Sequence, residues 1–501
     1  MPTRQSCDSR LFNVWGVSYR LYNTSADKTP YLSVVTPADL TIFRNMALRL
    51  KRHDVIELEI IDLANTGKSV GRHDGMVVMA DRGVPGDRIE CEITEVKRSF
   101  AFGRLTRLLE PSPLRIAPRC RHFDICGGCS WQYLPYSEQL KYKARFVADG
   151  LERIGKLEVL ESDAPLGSAE EFYYRNKMEY SFCDEIETAT AGMHVRGRYD
   201  AIFELEECYL QSAASVAALS KVRSLARELG IPFYNFKSGE GELRFLVVRE
   251  GKLTGDFMLN LVTFNREFAG REELLARIIE EVEGLTSLFH TINGRKAHVA
   301  IGDEVILVHG KLHLAEKIGH LAFQITPFSF FQTNSRQTKV LYDVIRDHAH
   351  VQPEQHLLDL FCGCGTIGLY LAKDVASVLG IEINPEAIEM AKQNASLNGI
   401  ANCEFVSGDV RRLLVELHEN ERQFDTIVAD PPRSGLEQTA CRRICRLRAK
   451  RIVAVSCNPA TLARDLAQFV EAGYRVERVS PVDMFPQTAH VETVVSLVLD
   501  E

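Results

Sequence analysis

The sequence predicts an α/β chain in three parts. An OB-like β-barrel is followed by an α+β central region and then by a C-terminal doubly wound, mostly parallel sheet. Three observations carry this. Residues 50–108 alternate apolar and polar side chains between glycine turns. From about residue 350 short apolar strands alternate with helical patterns. The length of 501 residues suits about three domains at roughly 150 residues each. The expected boundaries are an extension over 1–49, poorly ordered, the barrel over 50–110, the central region over 111–325 and the doubly wound domain over 326–501.

The first 45 residues lack a period, a signal-type apolar core and a strong transit-peptide pattern, since Asp8, Asp27 and Asp39 interrupt the basic residues. Met46 is expected to open the folded part. In the barrel, VIELEIIDL, MVVMAD, RIECEITEV and FGRLTRLL read as strands, punctuated by Gly67, Gly71, Gly75, Gly83 and Gly86. Small barrels of this kind often bind nucleic acid, although fold alone does not prove it.

The formal charge of −8 argues against nucleic acid when taken over the whole chain. It is an average over unlike parts. Residues 97–146 hold ten Lys/Arg against three Asp/Glu, a local excess of +7, with Trp131, Tyr133, Tyr136, Tyr142 and Phe146 interleaved. Such a mixture suits RNA phosphates and unstacked bases. It equally suits a solvated basic face with core aromatics. Hydrophobic residues at 45% and charged residues at 26% fit a globular protein, and no apolar run is long enough to span a membrane.

Between 165 and 325, FYYRNKMEYSF, LRFLVVRE, FMLNLVTF and HVAIG read as strands and 270–283 as an acidic helix. Beyond 350, strands are expected at HLLDLF, SVLGIEI, FDTIVAD, RIVAVSC and VVSLVL. One helix start is explicit: Asn384 as cap, Pro385 at the first helical position, and Gly399 as the stop.

Several motifs carry chemistry. Asp359-Leu-Phe-Cys-Gly-Cys-Gly-Thr-Ile-Gly368 places G-x-G-x-x-G at a strand-to-helix turn, and Glu382 ends the next strand as a ribose-binding acid would. A nicotinamide cofactor is the rival reading. Asp359 disfavours it, because a carboxylate there repels a pyrophosphate yet suits the cationic groups of S-adenosylmethionine. Asp430-Pro-Pro-Arg433 follows an apolar strand, so the prolines fix a rigid turn and set Asp430 at the sheet edge. Cys457, in Ser-Cys-Asn-Pro, also sits at a strand end and is a candidate nucleophile in its thiolate form. Glu492, in His-Val-Glu-Thr-Val, is either a general base or a surface acid.

The thirteen cysteines are otherwise scattered, as in a reduced, cytoplasmic protein. Cys120, Cys126 and Cys129, with Cys208 downstream, form a set that can hold zinc or an iron–sulfur cluster, or can be unconnected. Cys362 and Cys364 read as packing. Arg442, Arg443, Arg446, Arg448, Lys450 and Arg451 read as a solvated face with some RNA contact.

Taken together, PFSFFQTN, DLFCGCGTIGL, GIEINPEAI, ADPPRSG, VSCNPATLARD and HVETV, in that order, resemble the S-adenosylmethionine-dependent RNA uracil-5-methyltransferase family. The 50–108 barrel is similar to that family's TRAM domain, and CRHFDICGGCSWQYLPYSEQLKYK to its iron–sulfur segment. The resemblance implies a Rossmann-like methyltransferase domain and a 4Fe–4S cluster on Cys120, Cys126, Cys129 and Cys208. It further implies Cys457 as the nucleophile at uracil C6 and Glu492 as the base that takes the C5 proton. Gln332, Phe361, Gly363, Glu382, Asp409 and Asp430 would line the cofactor or base site, and Arg175 would contact RNA. The implied partner is RNA, with 23S ribosomal RNA favoured and transfer RNA the alternative. Neither a membrane nor a protein partner is evident. Two other readings remain at this stage, a nicotinamide-dependent oxidoreductase and a non-catalytic RNA-binding iron–sulfur module.

Overall fold

A computed structural model describes residues 11–14, 17–20, 50–159, 161–185 and 188–500. The expectation of a poorly ordered extension over 1–49 lies outside the described residues, save for two short strands. These, β1 (Leu11–Val14) and β2 (Val17–Arg20), pair antiparallel. The chain forms two compact units, Met1–Ala64 with Lys68–Arg115, and Asn65–Gly67 with Ile116–Glu501.

In the first unit β3 (Val55–Leu63), β4 (Ser69–His73), β5 (Met76–Asp81), β6 (Arg88–Val96) and β7 (Phe100–Glu110) close into a barrel in the order β3-β4-β5-β7-β6. Period two explains it: Ile56, Leu58, Ile60, Val78, Ala80, Ile89, Cys91, Ile93 and Ala101 fill the interior. Asp74 and Gly75 both take positive φ, 48° and 81°, the geometry a tight β4–β5 hairpin demands.

Part of the basic, aromatic-rich stretch is structural. Trp131, Tyr133 and Phe146 are core side chains. Much of the charge is ion-paired: Arg104 with Glu92 at 2.6 Å, Arg107 with Glu90 at 3.0 Å, Arg115 with Asp87 at 2.6 Å and Lys143 with Asp483 at 2.6 Å.

The second unit opens with α1 (Tyr136–Asp149) and the short β8 (Glu161–Ser162). A seven-stranded sheet follows. Its strands are β9 (Lys177–Glu185), β10 (Thr188–His194), β11 (Ile202–Glu204), β12 (Leu243–Glu250), β13 (Phe257–Thr263), β14 (Ser287–Ile292) and β15 (Glu304–Gly310), ordered β11-β10-β9-β12-β13-β14-β15. It carries α2 (Ala213–Glu228) and α3 (Arg271–Glu281). HVAIG, expected as a strand, is a loop. Its carbonyls are taken by a side chain instead of a ladder: Asn293 Nδ2 donates to Val299 O at 2.6 Å and Ile301 O at 3.0 Å.

After the hairpin β16 (Leu314–Ile318) and β17 (Leu321–Ile325) comes the doubly wound sheet. It comprises β18 (His356–Leu360), β19 (Ser377–Glu382), β20 (Cys403–Ser407), β21 (Thr426–Ala429), β22 (Arg451–Ser456), β23 (Tyr474–Val482) and β24 (Glu492–Leu499), with β8 on one edge. The order is β20-β19-β18-β21-β22-β24-β23-β8. β18 to β22 are parallel and β24 runs antiparallel to β22.

One face is covered by α4 (Ser335–Ala349), α5 (Thr366–Leu371), α6 (Pro385–Leu397) and the β16–β17 hairpin, through Leu341, Ile345, Ile367, Ile388, Ile318 and Phe323. The other is covered by α7 (Val410–Glu419), α8 (Gln438–Arg446), α9 (Pro459–Glu471) and α1, through Leu414, Ile444, Leu466 and Val147. Asn384 caps α6 as its sequence requires, accepting from Glu386 N at 2.9 Å.

Candidate active site and cysteine cavity

In this sheet the chain winds one way from β18 through β19 to β20 and the other way through β21 to β22, so the switch point lies between β18 and β21. Open α/β sheets bind ligands there, beyond the carboxyl ends of the strands. The register puts the expected residues in one row at that edge. Leu360 pairs with Ile381 and Ala429, so Phe361, Glu382 and Asp430 are the next positions on three neighbouring strands. Ser407 pairs with Glu382, and Asp409 stands two residues beyond it.

The glycine turn shapes this edge. Phe361 has φ of 63°, a conformation rare for a bulky side chain and of the kind that persists at binding sites. Gly363 N donates to Glu382 Oε2 at 3.3 Å, and a side chain at Gly363 would meet nothing within 4 Å, so the turn faces open space. Gly365 is the opposite case: a Cβ there would lie 2.8 Å from the Phe405 ring. Asp359 is fully buried. Its Oδ2 accepts from Gly368 N at 2.9 Å, while Oδ1 has no partner. Burial pushes its carboxyl up to about 8, and Asp430 and Glu382 add repulsion. A buried carboxylate with an idle oxygen beside an open glycine turn fits a cationic, ammonium-bearing ligand.

Asp409 behaves otherwise. It caps α7, accepting from Arg411 N at 2.8 Å and Arg412 N at 3.3 Å, and pairs with the Arg411 guanidinium, which holds it down to about 2. Gln332 lies on the loop between β17 and α4, where its carbonyl accepts from Asn176 Nδ2 at 2.8 Å.

Cys457 and Glu492 come together through β22 and β24. The last antiparallel pair is Ser456 with Thr493, which leaves Cys457 opposite Glu492. Glu492 is 5% exposed, and burial with Asp430 nearby pushes its carboxyl up to about 8, against the pull of Arg433. Asp430 is pushed up to about 7 by burial. The Cys457 thiol stands at about 11, raised by burial and Glu492 and lowered by Arg433. Arg433 is the functional neighbour that sequence reasoning passed over; its place directly after Asp430-Pro-Pro was the available signal.

The four cysteines of the expected metal set, Cys120, Cys126, Cys129 and Cys208, line one cavity of about 130 Å³. Cys208 arrives there because His122 Nε2 accepts from Glu206 N at 3.1 Å and Arg121 N donates to Glu207 at 2.6 Å. Thiol sulfurs already receive donors: Gly128 N to Cys126 at 3.3 Å and Gln132 Nε2 to Cys129 at 3.2 Å. Among the described residues no three His, Cys, Asp or Glu side chains stand ready for a single metal ion. Arg175, expected at RNA, lines this same cavity, and its charge reaches His490 beside the active-site strand.

Known proteins share this organisation. The family model described as tRNA (Uracil-5-)-methyltransferase matches residues 287–499, and the TRAM domain model matches residues 49–106. An uncharacterized RNA methyltransferase of Halalkalibacterium halodurans is 38% identical over 450 residues, which are 90% of this chain and 98% of that protein. One from Porphyromonas gingivalis is 40% identical over 88% of this chain and 99% of its own length. The solved Pyrococcus abyssi tRNA (uracil-54, C5)-methyltransferase, in complex with S-adenosyl-L-homocysteine, aligns with a TM-score of 0.72 at 31% identity, over 88% of this chain and 100% of that one.

A doubly wound sheet whose switch point carries this glycine turn is the architecture of S-adenosylmethionine-dependent methyltransferases, and this chain is one of them. Within that class it belongs to the RNA uracil-5-methyltransferase family and carries that family's TRAM barrel. Among the described residues no helix is long and apolar enough to cross a membrane.

Proposed function

We propose that the enzyme methylates C5 of a uridine in RNA through a covalent bond between Cys457 and uracil C6. The observation that carries this reading is the placement of Cys457 opposite buried Glu492, beside Asp430, at the ligand-binding edge. C5 of uracil is a weak nucleophile. Addition of the Cys457 thiolate to C6 gives C5 carbanion character, and C5 then takes a methyl group. Bound S-adenosylmethionine supplies that methyl group as an electrophile. Glu492, ionised, removes the C5 proton; the freed electron pair rebuilds the C5–C6 double bond and expels the Cys457 thiolate. Asp359, Phe361, Gly363, Glu382 and Asp430 bind and orient the methyl donor, Gln332 the donor or the base. Asp409 shapes the adenine end from its capping position. Arg175 meets the RNA, whose target base leaves its stack to reach Cys457.

Cys120, Cys126, Cys129 and Cys208 would hold a 4Fe–4S cluster. One zinc ion needs four sulfurs about 3.8 Å apart, given Zn–S bonds near 2.3 Å. A cluster takes one thiolate per iron and so accepts a wider set. The four thiols lining one cavity would supply such a set. It would brace the segment structurally, and no reaction step passes through it.

Large-subunit ribosomal RNA is the proposed substrate, the target that the sequence resemblance favours. The Pyrococcus abyssi tRNA enzyme, which aligns over 88% of this chain, favours transfer RNA as the second reading. Mapping 5-methyluridine in both RNA classes from cells lacking the gene decides between them. Loss confined to transfer RNA overturns the first, and loss in neither overturns both.

A further inference from the structure

Glu492 enters its strand from the segment 483–491, and that segment is fastened from far away in the chain. Asp483, fully buried, pairs with equally buried Lys143 of α1 at 2.6 Å, and the same ammonium donates to Phe485 O at 3.1 Å. Tyr174 OH donates to Pro486 O at 3.0 Å. Gln487 is the most heavily engaged residue. Its carbonyl accepts from Ser130 N at 2.9 Å and Trp131 N at 3.1 Å, the two residues directly after Cys129. Its N–H donates to Gln139 Oε1 at 2.9 Å, and its Oε1 accepts from Gln139 Nε2 at 3.0 Å. Gln139 Nε2 also donates to Leu134 O at 2.9 Å and Trp131 O at 3.2 Å. Gln139 is fully buried, Gln487 is 3% exposed, and Gln487 takes φ of 68°, a left-handed conformation that only a firm set of partners maintains.

We propose that the Gln139–Gln487 pair is a positioning device that ties the cysteine-bearing segment to the loop leading into Glu492. It sets the carboxylate's place without touching substrate. The inference rests on Glu492 being the base. Two buried amides in reciprocal contact leave few alternative arrangements, because any shift strands polar groups away from water. A base displaced by about 1 Å loses on the order of 10²-fold in rate.

The test uses the full-length holoenzyme with Gln139→Leu and, separately, Gln487→Leu. Methyl transfer, C6 adduct formation and hydrogen exchange over 484–492 are followed together. The expected result in each variant is a kcat lowered about 10- to 100-fold, an accumulated methylated adduct, unchanged KM for S-adenosylmethionine and RNA, and faster exchange over 484–492. Wild-type kcat with wild-type exchange overturns the proposal. Failure of both variants to fold also overturns it, by assigning the pair to the fold alone. Failure of the base reading looks different: Glu492→Gln then accumulates no adduct, while hydrogen exchange still reports whether the glutamine pair holds the loop.

Discussion

Cys457 and Glu492 face one another at the open end of the β22–β24 ladder, one position beyond the Ser456–Thr493 pair. In the proposed roles of nucleophile and base, the two stand on opposed backbones, with the ladder setting their register and the fastened segment 483–491 leading into Glu492. Cys457→Ala should therefore abolish methylation, by about 10⁴-fold or more, and abolish the denaturation-resistant RNA adduct. An adduct that survives in this variant would place the nucleophile elsewhere.

Glu492→Gln keeps shape and burial but cannot take a proton. The expected outcome is a kcat lowered about 10²- to 10⁴-fold with the methylated adduct trapped, read on a denaturing gel with labelled methyl donor. Fast turnover without trapped adduct would remove Glu492 from the role of base.

The pH profile follows from the burial of the acids. Glu492 must be ionised to accept the C5 proton, and its carboxyl stands at about 8. Turnover should rise as pH climbs through that value and go on rising above it, because the Cys457 thiol, at about 11, must also ionise, and single-turnover rates from pH 6 to 9 measure it. A flat profile would mean that both groups are already ionised at pH 6.

Stability runs the other way. Asp359, Asp430 and Glu492 stand at about 8, 7 and 8 in the fold, against ordinary values near 4. From about pH 6.5, above which the buried His290, His298, His348 and His490, held down to about 4, are neutral in both states, up to about pH 8 the folded chain holds protons on these three acids that the unfolded chain has released, so stability declines across that window. Melting temperature of the ligand-free protein should fall over this range, and Asp359→Asn should flatten the fall. An unchanged slope in that variant would show that Asp359 is ionised in the fold.

Lys143→Met leaves Asp483 buried without its cation. A loss of about 3–5 kcal/mol is expected, read by denaturant titration, and Lys143→Met with Asp483→Leu should recover part of it. A single-variant loss below about 1 kcal/mol would mean that water reaches Asp483.

Much of the molecule was legible in residue patterns. β3, β5 and β6 follow their alternation over Val55–Ile60, Val77–Asp81 and Arg88–Ile93, because one face of each must fill the barrel. The row of candidate residues Phe361, Glu382 and Asp430 was legible because each stands at the end of an apolar strand, and strand ends converge at one edge. Other features resisted. β23 carries Arg475, Glu477 and Arg478 in its nine residues, so apolar content did not reveal it. Asp409 was legible as an acid beyond a strand end, but not its pairing with Arg411, two residues on, or its cap on α7. Gln139 and Gln487 carried no local signal, since their partnership joins residues 348 positions apart.

That separation bears on when the enzyme becomes active during its own synthesis. The segment that receives Gln487 emerges from the ribosome early and waits for almost the entire remaining chain before its partner arrives. In a nascent or C-terminally shortened chain, Ser130 N, Trp131 N and the Gln139 amide lack the partner that Gln487 supplies. Such a chain cannot close the catalytic end of the sheet, because β24 is the strand inserted between β22 and β23.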